Sequence, residues 1–573
     1  MACTLRTAYC QKKPDDTEKS YRPICLLDIL GKVYEKLIKI RLEEEIGKKG
    51  GLSPEQFGFI SGRSTVDAML EVKRRAEDAK KRNKLCALTM VDVKNAFNST
   101  PWRGILEELK RRNIPSYLIN VLSSYFQDRT IIVDDIQKET SCGVPQGSVL
   151  GALLWNVYYD PLLRITLPPN TSSIAYADDL ALITTGTTKD TLEMEINLAL
   201  KKVNNWMTSK ELQIAPQKTE VVMLVSSRKV PEITVQCVEM QISSKPSAKY
   251  LGVFFDRNMR MTTHIRKVAE KAEKVATNLS RLMPNINGPK NCKRKLLGSV
   301  VYSTLFYGIP AWVDVLQYQK YRTRVEKVQR KIMLRQCRAY RTSPTAPLQV
   351  ISGTPPVEYM AEERERTYRY KRDGGNLEEF RQDLKNELQN KWQTKWNQEN
   401  VKGQWTKTLI KNIEPWVNRT YGEVTFELAQ FLTGHGNFAA YLKRFRIQED
   451  DKCIYCQQID TPKHTFFQCI RWQEPRSRCW ELLGGCQTEA TIISEMLKDK
   501  KRWDCINNLI IEIVRKKKID TQRLEDQEAR TRRAVTQTRT NPSPVTCPQT
   551  ASISTRRQHG DRLRGRDPLN TQT

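Results

Sequence analysis

Residues 174–183 read Ile-Ala-Tyr-Ala-Asp-Asp-Leu-Ala-Leu-Ile, two adjacent carboxylates with apolar residues on both sides. The flanks have the composition of strands, and the acids stand where a hairpin would turn. Two carboxylates in an otherwise apolar hairpin are costly to bury unless a cation neutralises them. Whatever sheet forms here must therefore bring Asp178 and Asp179 to a place where charge is tolerated. Asp-Asp pairs also occur at 15–16, 134–135 and 450–451, so a pair alone is a weak signal. Context separates them: Asp134-Asp135 joins the strand-like runs Thr130–Val133 and Ile136, where a plain hairpin turn suffices.

A third carboxylate, Asp92, follows the β-branched run Thr89-Met90-Val91 and precedes Val93. Carboxylates from two neighbouring strands can hold two hard cations about 4 Å apart, the arrangement that clamps the attacking and leaving oxygens in phosphoryl transfer. Oxygen ligands suit Mg²⁺, which keeps waters and substrate phosphates in its shell. From residue types alone, this reading and the plainer one, a strand-end acid beside a turn, both stand.

The 573 residues include 95 Lys plus Arg against 65 Asp plus Glu, a net charge of +30, with 39% hydrophobic residues. That apolar content supports a substantial core and excludes wholesale disorder. The length suggests about three to five domains. A cationic surplus of this size favours polyanions, through phosphate contacts and counterion release. No stretch approaches the roughly 20 apolar residues that span a bilayer, and no signal segment opens the chain. The expectation is a soluble intracellular protein with no membrane partner. In a reducing compartment the fifteen cysteines are expected as thiols or metal ligands, not disulfides.

Leu26, Leu30, Val33, Leu37 and Ile40 predict a helix over 24–42, and Leu192, Ile196, Leu200 and Val203 another over 190–210 with Asp190 and Glu193 at its cap. Helices and strands mix without βαβ alternation, which predicts an α+β, palm-like domain over 1–256. Residues 257–372 read as helical and basic. Residues 373–445 form a basic connector carrying Trp392, Trp396, Trp405 and Trp416, which either stack on bases or fill the core of amphipathic helices. A cysteine-bearing segment spans 446–520. Residues 521–573 turn to Thr, Arg, Pro and Gln and predict a disordered basic tail.

In that segment, Cys453-x2-Cys456-x7-His464-x4-Cys469 has the residue types and spacing of a closed tetrahedral Zn²⁺ site. The chain has only four histidines, so one falling between a cysteine pair and a further cysteine is improbable by chance. Cys479 and Cys486 fall outside the pattern.

Five blocks resemble, in order, those of a reverse transcriptase of the non-LTR (LINE-type) retrotransposons. They are Tyr21-Arg22-Pro23-Ile24-Cys25-Leu26, Gln56-Phe57-Gly58-Phe59, Val91-Asp92 with Ala96-Phe97, Gly143-Val144-Pro145-Gln146-Gly147-Ser148-Val149-Leu150-Gly151, and Tyr176-Ala177-Asp178-Asp179. The Cys-Cys-His-Cys motif, with Leu432-Thr433-Gly434-His435-Gly436 before it, resembles the C-terminal region of the same polyproteins. The whole pattern is most similar to arthropod type-1 elements that insert into ribosomal RNA genes.

The resemblance implies a right-hand polymerase: fingers and palm over 1–256, a helical thumb over 257–372, then the connector, a zinc-binding nucleic-acid-binding segment and the tail. It implies an RNA-directed DNA polymerase that copies element RNA at a nicked DNA target, with dNTPs as substrates. Asp92, Asp178 and Asp179 would hold two catalytic Mg²⁺ ions, with the Val93 carbonyl as an extra ligand. Phe97 would lie against the incoming sugar and exclude a 2′-hydroxyl. Gln146 and Gly147 would position template and nucleotide, and Gly252 would stand at the tight approach of a primer-grip hairpin. Arg63 either meets template or triphosphate or is a solvated arginine. Lys218 either protonates the departing pyrophosphate or is a surface lysine. Asn98 departs from the acid that many reverse transcriptases carry after the aromatic, at a position that ligates no metal.

No second metal-carboxylate signature of a nuclease follows the zinc segment, and there is no ribonuclease H block. The family carries an endonuclease ahead of the polymerase and this chain begins almost at the fingers block, so the resemblance implies a fragment of a polyprotein whose endonuclease lies elsewhere. It also implies assembly with element RNA in the cytoplasm and action in the nucleus. Two other functions fit parts of the pattern: a catalytically inactive RNA-binding scaffold, and a C-terminal nucleic-acid-binding endonuclease.

Overall fold

The computed structural model describes residues 5–9, 23–25, 27–133, 136–224 and 231–539. Asp15-Asp16, Asp134-Asp135 with the hairpin turn expected there, and three of the first block's residues, Tyr21, Arg22 and Leu26, lie outside them. The strands, in chain order, are β1 Leu5–Tyr9, β2 Pro23–Cys25, β3 Leu85–Val91, β4 Thr130–Val133, β5 Ile136–Glu139, β6 Thr171–Tyr176, β7 Asp179–Gly186 and β8 Glu220–Met223. Two hairpins follow them: β9 Thr234–Cys237 with β10 Met240–Ser243, then β11 Ser247–Tyr250 with β12 Val253–Asp256. Helices occupy most of the rest, so the α+β expectation holds. The chain forms two compact units, Met1–Ile511 and Glu512–Thr573.

The central sheet has the order β6-β7-β3-β8, each neighbour antiparallel. Its strands are apolar runs because both faces are covered. Ala87, Val91, Leu180, Leu182, Val221 and Met223 point into one core, shared with the helices Gly151–Tyr159 and Lys189–Ser209. Cys86, Leu88, Ala181, Ile183 and Val222 point into a second, shared with the helices Thr65–Lys81 and Thr262–Arg281. Period-two alternation divides each strand between the two cores, and a one-residue register slip would exchange them.

Helix Ile29–Lys48 corrects one expectation. It starts later than predicted, capped by Asp28, and buries Glu35, Ile38, Leu42 and Ile46. The face read as its core points to solvent: Leu30 is 77% exposed, and Val33, Leu37 and Ile40 are also exposed. The helix is apolar on more than one side, so spacing alone could not say which side packs. Helix Lys189–Ser209 buries the predicted Leu192, Ile196, Leu200 and Val203, but its cap is Thr188, whose hydroxyl accepts Thr191 N–H; Asp190 sits in the first turn.

The predicted tail also differs. Residues 521–539 continue the helix Lys500–Arg539, while 540–573 lie outside the described residues. Few apolar residues remove the argument for a core, but Gln, Glu, Arg and Ala are good helix formers, and Arg532 lies one turn after Glu528 at 3.5 Å. Among the connector tryptophans, Trp392, Trp396 and Trp416 are buried. The indole N–H groups of Trp396, Trp405 and Trp416 donate to the carbonyls of Ile410, Phe431 and Ile351, so these rings serve packing. No single helix among the described residues is long and apolar enough to cross a membrane.

Candidate active site

Register places the acids. Val91 pairs with Leu180 across β3 and β7, so Asp92, the next residue, comes opposite Asp179. Tyr176 pairs with Asp179, leaving Ala177-Asp178 as a two-residue turn in which Ala177 adopts φ +58°. The backbone of Asp92 is fixed from the other side, where its carbonyl accepts Ala215 N–H at 2.8 Å. Asp179 stands at the exposed end of β7, and its carboxyl is pushed up to about 6, first by the hydration it loses to surrounding protein atoms and then by the charges of Asp178 and Asp92. The charges of Asp178 and Asp92 thus raise the affinity of Asp179 for positive charge, and carboxylate oxygens are the donors a hard cation prefers.

Asp92 and Asp179 line a cleft of about 280 Å³ together with Lys218, Lys249, Tyr250 and Gly252. Lys218 ends a short turn, Pro216–Lys218, and its Nζ lies 3.1 Å from Asp92 Oδ2. The Val93–Ile214 bridge is closed by hydrogen bonds of Asp92 and Lys94, so it does not engage the Val93 carbonyl. Gly252, at φ +96°, turns the β11–β12 hairpin, and a Cβ there would stand 2.7 Å from the ring of Tyr307. The tight approach at this glycine is thus made by a protein side chain, whose hydroxyl also donates to Leu251 O at 3.0 Å.

The Gln56–Phe59 segment holds the acidic turn in place. Phe57 N–H donates to Ala175 O, and Ala175 N–H donates to Glu55 O. The buried Gln56 side chain accepts from Ala177 N–H at 3.0 Å and from Gly58 N–H at 2.8 Å. A Cβ on Gly58 would stand 2.1 Å from the nitrogen of Ala177, so only glycine allows this approach. Arg63 is turned back onto the segment: its guanidinium donates to Pro54 O and Gln56 O and lies over the Phe57 ring.

Phe97 follows Asn95 (φ +51°) in a short helix, Ala96–Ser99, that re-aims the chain after β3. Its ring stacks on buried Trp155 at 5.3 Å, and Trp155 stacks on Tyr159 at 4.9 Å. Its carbonyl accepts Val144 N–H at 2.7 Å, which ties the loop 143–151 to the Phe97 turn. The same loop is anchored by Glu35, a fully buried carboxylate that accepts Ser148 Oγ–H, Val149 N–H and Leu150 N–H while Tyr125 O–H donates to its other oxygen at 2.6 Å. Gln146 gives its carbonyl to Cys25 N–H, leaving its half-buried side chain beside the exposed Gly147.

Near the C-terminus, the ligand atoms of Cys453, Cys456, His464 and Cys469 all lie within 4.8 Å of one another. Cys453 and Cys469 sulfurs are 3.8 Å apart, and Cys456 Sγ is 3.2 Å from His464 Nε2. Four ligands at 2.3 Å around a tetrahedral ion would be roughly 3.8 Å apart, so the donor set fits a closed metal site. Cys479 pairs instead with Cys505 at 3.0 Å, and Cys486 is exposed.

Sequence reasoning named the acids, Phe97 and the four metal ligands but missed Glu35, Asn156 and Tyr159. Buried Asn156 donates to Gly58 O at 2.9 Å. Tyr159 is buried beside Asp178 and Asp179, its hydroxyl held well above its ordinary pKa by burial first and by those charges next. A lone acid within a helix, or a polar residue within an apolar one, was the available signal.

Residues 11–255 match the family described as reverse transcriptase (RNA-dependent DNA polymerase). The chain is similar to a 115 kDa protein of type-1 retrotransposable element R1DM of Drosophila melanogaster, 28% identical over 81% of this chain and 47% of that protein. It is also similar to the retrovirus-related Pol polyprotein from type-1 retrotransposable element R1 of Bradysia coprophila, 25% identical over 82% of this chain and 48% of that protein. The chain thus spans about half the length of these relatives. Among solved structures, telomerase from Candida albicans in complex with a fragment of telomeric RNA aligns over 67% of this chain and 64% of its own, at 12% identity and a TM-score of 0.35.

Proposed function

We propose that the chain is the polymerase part of a non-LTR retrotransposon Pol polyprotein, an RNA-directed DNA polymerase that copies element RNA from the 3′-end of a nicked DNA target. The observation that carries this reading is the meeting of Asp92 and Asp179 at the end of one sheet, beside Asp178, within the segment that matches the reverse transcriptase family. Asp92, Asp178, Asp179 and the Val93 carbonyl are the groups that would hold two Mg²⁺ ions. Such ions, when bound, activate the primer 3′-oxygen and stabilise the departing pyrophosphate.

The protein's own residues supply the rest. Lys218, which lines the cleft and pairs with Asp92, would hold a proton for the departing pyrophosphate. Phe97, rigidly backed by Trp155, would meet a 2′-hydroxyl with a fixed ring, favouring dNTPs over rNTPs. Gln146 and Gly147 offer polar and backbone contacts to template, and the cationic excess holds both nucleic acids. The Cys453–Cys469 cluster would hold structural Zn²⁺ in a segment that contacts RNA or target DNA. We place assembly with element RNA in the cytoplasm and synthesis in the nucleus.

Primer extension on poly(rA)/oligo(dT) with Mg²⁺ tests the reading. The parent chain is expected to synthesise DNA, and the Asp178→Asn plus Asp179→Asn variant none. Equal incorporation by both would reject the assignment. RNA binding without synthesis by either would favour a scaffold instead.

A further inference from the structure

Phe59 is an aromatic residue kept where neither backbone nor burial favours it. It is 54% exposed and sits at φ +59°, in the left-handed region that bulky side chains avoid. Strain of this kind persists only where the surroundings over-determine it, and it gathers at functional positions. Here the surroundings are the bonds at Gly58, whose N–H is taken by Gln56 and whose carbonyl is taken by buried Asn156. The ring so presented meets Phe97 edge to face, with centroids 6.2 Å apart and planes at 85°. Phe97 therefore has the buried Trp155–Tyr159 stack on one side and the Phe59 edge on another.

We propose that Phe59 is a specificity-determining positioning residue, the second wall that keeps the Phe97 ring from yielding when a ribonucleotide's 2′-hydroxyl presses on it. The proposal rests on the reading of Phe97 as the sugar gate, and it assigns to the fingers segment a share in sugar choice. A rigid gate discriminates by clash, so a gate free to rotate away loses the repulsive part of its selectivity. Edge-to-face pairs carry a coupling that corresponds to roughly a 3- to 10-fold factor.

The test is single-nucleotide primer extension by the whole chain, with kcat and KM measured separately for a dNTP and the matching rNTP. Phe59→Gly, which removes the ring and relieves the backbone, and Phe59→Leu, which keeps bulk without the aromatic edge, are compared with Phe97→Ala. The expected result is that the dNTP/rNTP ratio of kcat/KM falls roughly 3- to 10-fold in Phe59→Gly and less in Phe59→Leu, with the change carried by faster rNTP use. A ratio unchanged in both Phe59 variants but lowered in Phe97→Ala would overturn the proposal and leave the gate standing. A ratio unchanged in Phe97→Ala as well would overturn both. Loss of dNTP use in Phe59→Gly with the ratio unaltered would also overturn it, since that pattern belongs to a residue that grips template.

Discussion

The side-chain oxygen of Gln56 accepts the backbone N–H of Ala177 at 3.0 Å, one residue before Asp178. A residue far back in the chain thereby sets the turn that presents the acids. Replacing Gln56 by Leu leaves two buried N–H groups, on Ala177 and Gly58, without their acceptor. The expected cost is about 1–3 kcal/mol of stability. Displacement of the turn should also lower kcat roughly 10- to 100-fold, because reacting groups tolerate little misplacement. Urea unfolding and steady-state extension measure the two effects separately.

Glu35 joins helix Ile29–Lys48 to the loop 143–151 through three donors, and a fourth comes from Tyr125 in the helix Ser116–Phe126. Glu35→Ala should lower the urea midpoint by an amount equivalent to roughly 3 kcal/mol, with an unaltered slope. The exposed Leu30→Ala, on the opposite face of the same helix, should shift it by less than about 0.5 kcal/mol. Equal shifts in the two variants would refute the burial assignment of that helix.

The cysteine cluster should hold zinc stoichiometrically. Cys469→Ser should lose it on dialysis, while Cys479→Ser should retain it, because Cys479 faces Cys505 and not the cluster. Elemental analysis of the purified proteins decides this, and chelation should melt the segment without abolishing the sheet.

His264 predicts an acid-sensitive attachment of the helix Thr262–Arg281. Burial lowers its pKa to about 4, and its ring packs against Trp312. Between about 6.5, the ordinary value, and about 4, the unfolded chain binds a proton that the folded one does not. Stability therefore falls as pH drops through this window, by roughly 3 kcal/mol at most. His264→Phe should flatten the dependence of the thermal midpoint between those pH values; an identical slope in the variant would argue that other groups carry it.

Much of the site could be read from the residues. The apolar–acidic–apolar run at 174–183 became β6, a tight turn and β7, because burying both faces of a central sheet leaves the turn as the place for charge. The Cys453, Cys456, His464 and Cys469 spacing closed into one cluster, since ligand geometry is local. Helix Ile29–Lys48 shows the opposite case: its predicted apolar face is outside, and a glutamate is inside.

Local sequence thus determined what is decided within a few residues: strand and turn alternation around Asp178-Asp179, the metal-ligand spacing, and the cationic balance of the chain. Tertiary structure alone decided which helix face is buried, that Gln56 grips Ala177 from 121 residues away, that Glu35 anchors Ser148, and that Phe59 meets Phe97. Those contacts join segments far apart in the chain, and the free energy that selects them, hydrogen bonds satisfied where water is excluded, exists only once both partners are buried together.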